Sequence, residues 1–199
     1  MRRQLFTGLL VTVVLTVLLG GVYPLAVWAV GRVAFAHKTD GSFVTANGKV
    51  VGSALIGQAF SDKAGNPLPQ YFQPRPSAAG NGYDSTLSGG SNLGPSNPAL
   101  LKAVADRVTA YRTFNLLPPD VPVPVDAVTA SGSGLDPDIS VANALDQVAR
   151  IAAARHLGAA QLETLVHQHT DNRALGFLGE NTVNVLDLNL ALDRMSPSG

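Results

Sequence analysis

The sequence predicts a single N-terminal transmembrane helix followed by a small extracytoplasmic α+β domain. Residues 5–30 form an apolar run without a charged side chain, and the remaining chain alternates β-type segments, helical periodicities and loops rich in Gly and Pro. A chain of 199 residues has room for one ordinary domain and an appendage, since domains commonly span roughly 100 to 200 residues. We therefore expect an anchor and junction over 1–36, the domain over 37–194 and a tail over 195–199.

The overall charge and the lack of cysteine exclude several classes of function. Lys plus Arg and Asp plus Glu each total 14, which gives a formal net charge of zero and no basic surface for nucleic acid. Cys is absent, so neither disulfides nor thiol chemistry contributes. We expect no nucleic-acid partner.

The apolar run is long enough to cross a bilayer. As a helix rising about 1.5 Å per residue it spans roughly 39 Å, against a hydrocarbon core of roughly 30 Å. Arg2 and Arg3 precede it, and flanking cations favour the cytoplasmic side. A cleaved signal peptide is the alternative, because residues 34–36 have the small-x-small form of a cleavage site, although such apolar regions usually have about 7 to 15 residues. Both interpretations export the domain.

One face of the predicted span carries small side chains at every fourth position. In lipid, such a face lets a second helix approach closely and gain van der Waals contact. The alternative is that Gly and Thr are simply common in membrane spans. If the face is functional, it predicts a partner helix in the membrane at Gly8, Thr12, Thr16 and Gly20.

The first half of the domain is predicted as a hairpin, a long loop and a helix. Asn47–Gly48 is a typical two-residue hairpin turn between β-forming segments. Residues 64–98 are rich in Gly, Pro, Asn and Ser, and a loop of this length is usually disordered or functional. Asn97–Pro98 predicts a helix start. The inner face of that helix is expected at Leu101, Val104, Val108 and Tyr111.

The second half is predicted as a short strand near residues 125–128, three further elements and the tail. Ser140 is expected to cap a helix that Gly158 closes. A short helix should follow over residues 159–168. The alternation of apolar residues from Val183 predicts a final strand, with residues 190–194 as a possible helical turn.

The segment "LSGGS" resembles the start of the signature loop of ABC-type ATPases. No window contains the G-x-x-x-x-G-K-[ST] loop that such enzymes need to hold phosphate, so ATP hydrolysis by this chain is not expected. A rigid Gly-rich turn whose amides bind an anion or a partner's main chain is the remaining interpretation. The residues concerned are Ser88, Gly89, Gly90, Ser91 and Asn92.

Two further sets of polar residues are candidate sites. Arg75 lies between two prolines and is therefore a stiffly held guanidinium for a carboxylate or phosphate, with Asp84 as its predicted mate in the same loop. "HQHTD" at 167–171 places its two His rings on different sides of a helix, so a polar helix end is predicted and no metal site. No Gly-x-Ser-x-Gly nucleophile motif occurs, and no catalytic residue is expected.

The string of motifs along the chain resembles a known family. "GGVYPL", "GSALIGQAF", "YFQPRPSA", "SGGSNLGPSNPAL", "VTASGSGLDPDIS" and "VNVLDLNLALD" occur in this order. They are similar to segments of the C subunit of the Kdp potassium-transporting P-type ATPase, over nearly the whole chain.

This resemblance implies a single-pass subunit of a bacterial inner-membrane complex. Its implied partners are a channel-like potassium-binding subunit, a P-type subunit that hydrolyses ATP through an aspartyl-phosphate and a small single-helix subunit. The phosphorylated motif Asp-Lys-Thr-Gly-Thr is absent from this chain. The resemblance therefore implies a non-catalytic accessory subunit without a cofactor of its own, which assembles the complex and promotes ATP use by the catalytic subunit. The alternative is an independent membrane-tethered extracytoplasmic binding protein.

Overall fold

The computed structural model describes residues 1–195, which form two compact units that divide after Phe43. The first unit is helical: α1 (Arg2–Val17) and α2 (Tyr23–Ala34) are joined by a π-helical segment (Leu18–Val22). The short α3 (Ala36–Thr39) follows. Together residues 2–34 make one continuous helix that is apolar and long enough to span a membrane. The predicted tail lies outside the described residues apart from Met195.

The π-helical segment has a cause in the sequence. Pro24 has no N–H, so a carbonyl in the preceding turn loses its main-chain donor. The N–H of Tyr23 donates to the Leu18 carbonyl, five residues back. This spacing of five residues, in place of four, is what makes the segment a π-helical turn.

The second unit begins with the predicted hairpin. Strands β1 (Phe43–Ala46) and β2 (Lys49–Ser53) form a two-stranded sheet. Asn47 and Gly48 both have positive φ, 51° and 75°, as the favoured two-residue hairpin turn requires. A long segment without regular helix or strand then leads to α4 (Pro98–Asn115). The Asn97 side chain caps α4 by accepting from the Ala99 N–H, as predicted.

The remaining elements alternate short helices with a three-stranded sheet. After α4 come α5 (Val125–Val128), β3 (Asp138–Ser140), α6 (Val141–Asp146), α7 (Val148–Arg155), α8 (Ala159–Gln168), β4 (Thr170–Asp171), β5 (Thr182–Asn184) and α9 (Val185–Met195). Strand β5 is central and antiparallel to both β3 and β4, with Ile139 opposite Val183. The α+β class is confirmed.

The core of this unit lies between the sheet, α6–α9 and one residue of the long loop. Ile139 and Val183 supply it from the sheet, and Phe72 reaches it from the loop. The helices contribute the other buried apolar side chains of this cluster, among them Ile151, Leu162, Val166, Leu188 and Leu192.

One predicted strand is wrong and another is correct only at its start, in β5, while the helical turn predicted as possible over residues 190–194 is confirmed as part of α9. Residues 125–128 form one helical turn, which the Asp126 carboxylate fixes by accepting from the Ser140 N–H and hydroxyl. The strand predicted from Val183 gives way to α9 after Asn184, whose side chain caps the helix at the Asp187 N–H. Leu and Ala favour helix over strand, so the alternating pattern fitted both structures.

Three further predictions about the helices differ from the structure. Gly158 was predicted to close a helix, but His156 takes the left-handed position with φ 56°, and Gly158 precedes α8 instead. His is among the residues that tolerate this conformation. The helix capped by Ser140 is divided at Gln147. Leu101, predicted on the inner face of α4, is 56% exposed.

Candidate functional site

The long segment before α4 contains most of the predicted site residues, and buried amide side chains fix it to the helices. Asn189 accepts from the Phe72 N–H (2.8 Å) and donates to the Phe72 carbonyl (2.9 Å). Gln147 does the same with the main chain of Gln73, at 2.7 and 3.0 Å. Both amides are buried. Each amide pairs with the N–H and carbonyl of one loop residue, as a neighbouring strand would. The main-chain polar groups of Phe72 and Gln73 are therefore satisfied without a sheet.

The Arg150 guanidinium binds the main chain at the start of the same segment. Its guanidinium donates to the carbonyls of Pro69 and Tyr71, the latter at 3.0 Å. It also donates to Asn115 (2.9 Å) and Gln147 (2.8 Å). Burial lowers the pKa of Arg150 to about 10, so it remains charged at neutral pH. A buried cation is stable here because its donors are matched to oxygen acceptors.

Arg155 makes a second contact of the same kind. It donates to the Gln70 carbonyl (2.7 Å) and to Asp193 of α9 (2.7 Å). Its guanidinium carbon lies 4.7 Å from the centre of the Tyr71 ring, whose hydroxyl also donates to Asp193 (3.2 Å). Every residue from Gln70 to Gln73 is therefore bound by α7, by α9 or by Gln147 at the start of α7.

These anchoring residues were not predicted from the sequence. Gln147, Arg150 and Asn189 are polar residues on otherwise apolar helical faces. A polar residue on an apolar helical face could have indicated an anchor, since a buried polar side chain requires a hydrogen-bond partner. The sequence pattern does not indicate which segment of the chain provides that partner.

Arg75 is paired, but with a different residue from the one predicted. Its guanidinium donates to Asp136 at 2.8 Å and to the Thr129 carbonyl at 3.4 Å. Asp84 accepts instead from the N–H and hydroxyl of Thr86 (2.9 and 2.6 Å). This local turn leaves Arg75 facing the segment before β3, so the prediction of an Arg75–Asp84 pair is wrong.

Tyr83 adds a hydrogen bond within the long loop, beside the Arg75–Asp136 ion pair. Its hydroxyl donates to the Arg75 carbonyl at 2.7 Å. Burial, with a further contribution from the Asp136 carboxylate, raises the pKa of Tyr83. The hydroxyl therefore stays protonated and continues to donate at physiological pH.

The predicted Gly-rich turn docks on a second Gly-rich segment. Gly89 donates its N–H to the Ser133 carbonyl at 2.8 Å, and the Ser88 hydroxyl donates to the same oxygen at 3.0 Å. A Cβ at Gly134, where φ is 67°, would lie 2.6 Å from the Gly89 carbonyl. Only glycine fits this approach. The neighbouring Ser91 and Asn92 are exposed.

We call residues 69–79, 88–92 and 129–136 the loop platform. It brings together Arg75 with Ser88 and Gly89 through their shared contact segment, residues 129–136. Asp84 lies outside these hydrogen bonds. Gly90 belongs to the platform as well, since a Cβ there would lie 3.2 Å from the Gly132 carbonyl.

The predicted helix-packing residues belong to the other unit. Gly8, Thr12, Thr16 and Gly20 all lie in exposed positions of the long helix. A Cβ added at Gly8, Gly20 or Gly21 would meet nothing within 4 Å.

No metal cluster is found among residues 1–195. Within that part of the chain, no three His, Cys, Asp or Glu side chains lie together in a geometry that could hold a metal ion. His167 closes α8 in its last turn, and His169 follows as the capping residue.

Comparison with known proteins identifies the family. The family model described as "K+-transporting ATPase, c chain" matches residues 5–194. A Potassium-transporting ATPase KdpC subunit of Mycobacterium bovis BCG is 57% identical over 98% of this chain and 100% of its own length. The proteins of that name from Kineococcus radiotolerans (57%, with 98% and 95% coverage) and Sorangium cellulosum (51%, with 97% and 98%) match similarly. The chain therefore belongs to the KdpC family, the c chain of the potassium-transporting ATPase.

Proposed function

We propose that this chain is a non-catalytic accessory subunit that assembles and stabilises the other subunits of a bacterial potassium-transporting ATPase. Its partners would be the channel-like potassium-binding subunit, the P-type catalytic subunit and the small single-helix subunit. The observation that carries the proposal is the loop platform. The guanidinium and amide groups that build it bind atoms of the same domain and so serve as scaffold, not as acid, base or nucleophile.

The proposed orientation places the domain on the outer face of the inner membrane. Arg2 and Arg3 lie before the span, while beyond it Arg32 is paired with Asp40 and Lys38 is the next cation. The nucleotide-binding part of a P-type subunit would then lie across the bilayer. We infer that the chain promotes ATP use indirectly, through contacts in and outside the membrane, and has no cofactor site of its own.

The proposed contact within the membrane is the face formed by Gly8, Thr12, Thr16 and Gly20. A partner helix could approach this face closely because its side chains are small.

Co-purification from detergent-solubilised membranes tests the proposal. With a C-terminal affinity tag, the unaltered chain should recover a channel-like subunit and a P-type ATPase, identified by mass spectrometry. Thr16→Leu should lower this recovery several-fold by adding bulk to the packing face. Val14→Leu, on the opposite side of the helix, is the matched control and should leave recovery unchanged.

The result that would reject the proposal is equally clear. If the unaltered chain is recovered alone and monodisperse, it is an independent tethered binding protein. If both variants recover partners as well as the unaltered chain, the subunit role stands and the packing face is wrong.

A further inference from the structure

The loop between β4 and β5 exposes a cluster of large apolar side chains. Leu175 is 83% exposed, Phe177 69% and Leu178 51%. Single exposed apolar residues are ordinary, but three within four positions form a patch of the kind that marks an interaction site. We call residues 173–180 the apolar tip.

The apolar tip is held in a defined conformation. Ala174 and Leu178 exchange two main-chain hydrogen bonds of 2.9 Å each. Arg173 forms an ion pair with Glu180 (2.8 Å), and its N–H donates to Asn181 (3.2 Å). The main chain of the apolar tip is therefore ordered already and would lose little further entropy on binding.

Leu175 occupies a conformation that leucine does not favour. Its φ is 56°, in the left-handed region where Gly and Asn are preferred. Leu116 takes the same conformation as the residue that ends α4, where a left-handed residue is common, but Leu175 ends no helix, and neither its exposure to solvent nor its backbone conformation favours leucine. A contact with another molecule would explain it, because burial of the side chain offsets the backbone strain.

A polar pocket lies at the base of the apolar tip. It has a volume of about 420 Å³ and is lined by His167, Thr170, Asn172, Arg173, Glu180 and Asn181, with Val141 at one side. An apolar centre with a polar margin is the usual composition of a protein–protein contact.

The charge of the hairpin favours a protein over a lipid surface. Residues 170–181 contain two carboxylates, Asp171 and Glu180, against the single cation Arg173. Anionic bilayers attract basic segments, whereas this hairpin is net negative. A socket on a protein can match it by placing a basic or N–H group against the exposed carboxylates.

We propose that the apolar tip inserts into an apolar socket with a basic margin on the extracytoplasmic surface of another subunit of the ATPase. This inference rests on the proposed function and names the surface that would make the contact. Leu175 and Phe177 would supply the buried anchors, and the pocket at the base would receive a polar side chain of the partner.

The test uses the full tagged chain in membranes that contain the complex. The double variant L175N/F177S should reduce recovery of the partner subunits at least tenfold, since the loss of a single hot-spot side chain already weakens binding by more than that factor. Asn suits the left-handed conformation at 175, so the fold should be kept. The matched control is L116N/V125S: Leu116 is 67% exposed with φ 60°, and Val125 is 74% exposed. This control should recover partners normally.

Photocrosslinking identifies what the tip touches. Benzoylphenylalanine in place of Phe177 should form an adduct with another subunit. An adduct with lipid or with a second copy of this chain, no adduct, or full partner recovery by L175N/F177S overturns the inference. If the unaltered chain recovers no partner, the proposed function itself fails; if it recovers partners while L175N/F177S does so equally, only this inference fails.

Discussion

Asp146 lies in a setting that opposes its negative charge. Among the residues that the structure describes, its Oδ2 atom is buried without a hydrogen-bond partner. Burial raises the pKa of the Asp146 carboxyl; the Tyr111 hydroxyl acts in the opposite direction, and Asp126 raises the pKa further. The folded state is therefore destabilised whenever Asp146 is ionised.

Asp146 should make the free energy of unfolding depend on pH. The pKa of the Asp146 carboxyl is higher in the folded than in the unfolded protein. At neutral pH the ionised carboxylate therefore destabilises the fold, and this penalty is lost as pH falls through the folded pKa. Asp146→Asn should therefore raise the free energy of unfolding at pH 7, and this gain should shrink on acidification. Denaturant unfolding of the full chain in detergent at several pH values measures it. Asp120→Asn, at an exposed carboxylate, should show no comparable gain.

At the scale of elements, the sequence predicted the structures that depend on local chemistry. The Asn47–Gly48 turn, the Asn97 cap and the helix at residues 159–168 are all confirmed. Local signals suffice there because the turn and cap residues satisfy their own neighbours.

The sequence failed where a distant contact decides the structure. The turn at residues 125–128 is fixed by a hydrogen bond from Ser140 to Asp126, and Arg75 chooses Asp136 over Asp84. The same holds for the loop platform, whose anchors Gln147 and Asn189 lie far along the chain from Gln73 and Phe72. Contacts between residues far apart in the chain produce no periodic pattern in a single sequence.

The loop platform should loosen when one of these anchors is removed. Asn189→Ala deletes both hydrogen bonds to Phe72 and leaves a buried N–H and carbonyl unpaired, at a cost of about 1–3 kcal/mol for each group. Hydrogen exchange of a peptide covering residues 70–74 should become at least several-fold faster. Exchange of the same peptide in Asn81→Ala, changed at an exposed position, should match that of the unaltered chain. Equal protection in both variants would show that Asn189 does not hold the loop.

At the scale of the whole molecule, the chain combines an apolar helix with a domain of separate core. In our proposals, the helix packs against a partner helix within the membrane, and the domain contacts another subunit through the apolar tip. The two units would therefore provide different kinds of contact. Which side of the membrane each contact serves depends on the orientation of the helix.

The absence of Cys makes that orientation directly measurable. Lys63→Cys places one thiol on the exposed long loop, and Gln4→Cys places one at the start of the helix. We expect a membrane-impermeant maleimide to label Lys63→Cys in intact spheroplasts and Gln4→Cys only after permeabilisation, since Arg2 and Arg3 favour a cytoplasmic N-terminus. The reverse pattern would place the domain on the side of the nucleotide-binding subunit. Direct contact with ATP would then become physically possible, and the indirect coupling proposed above would lose its basis.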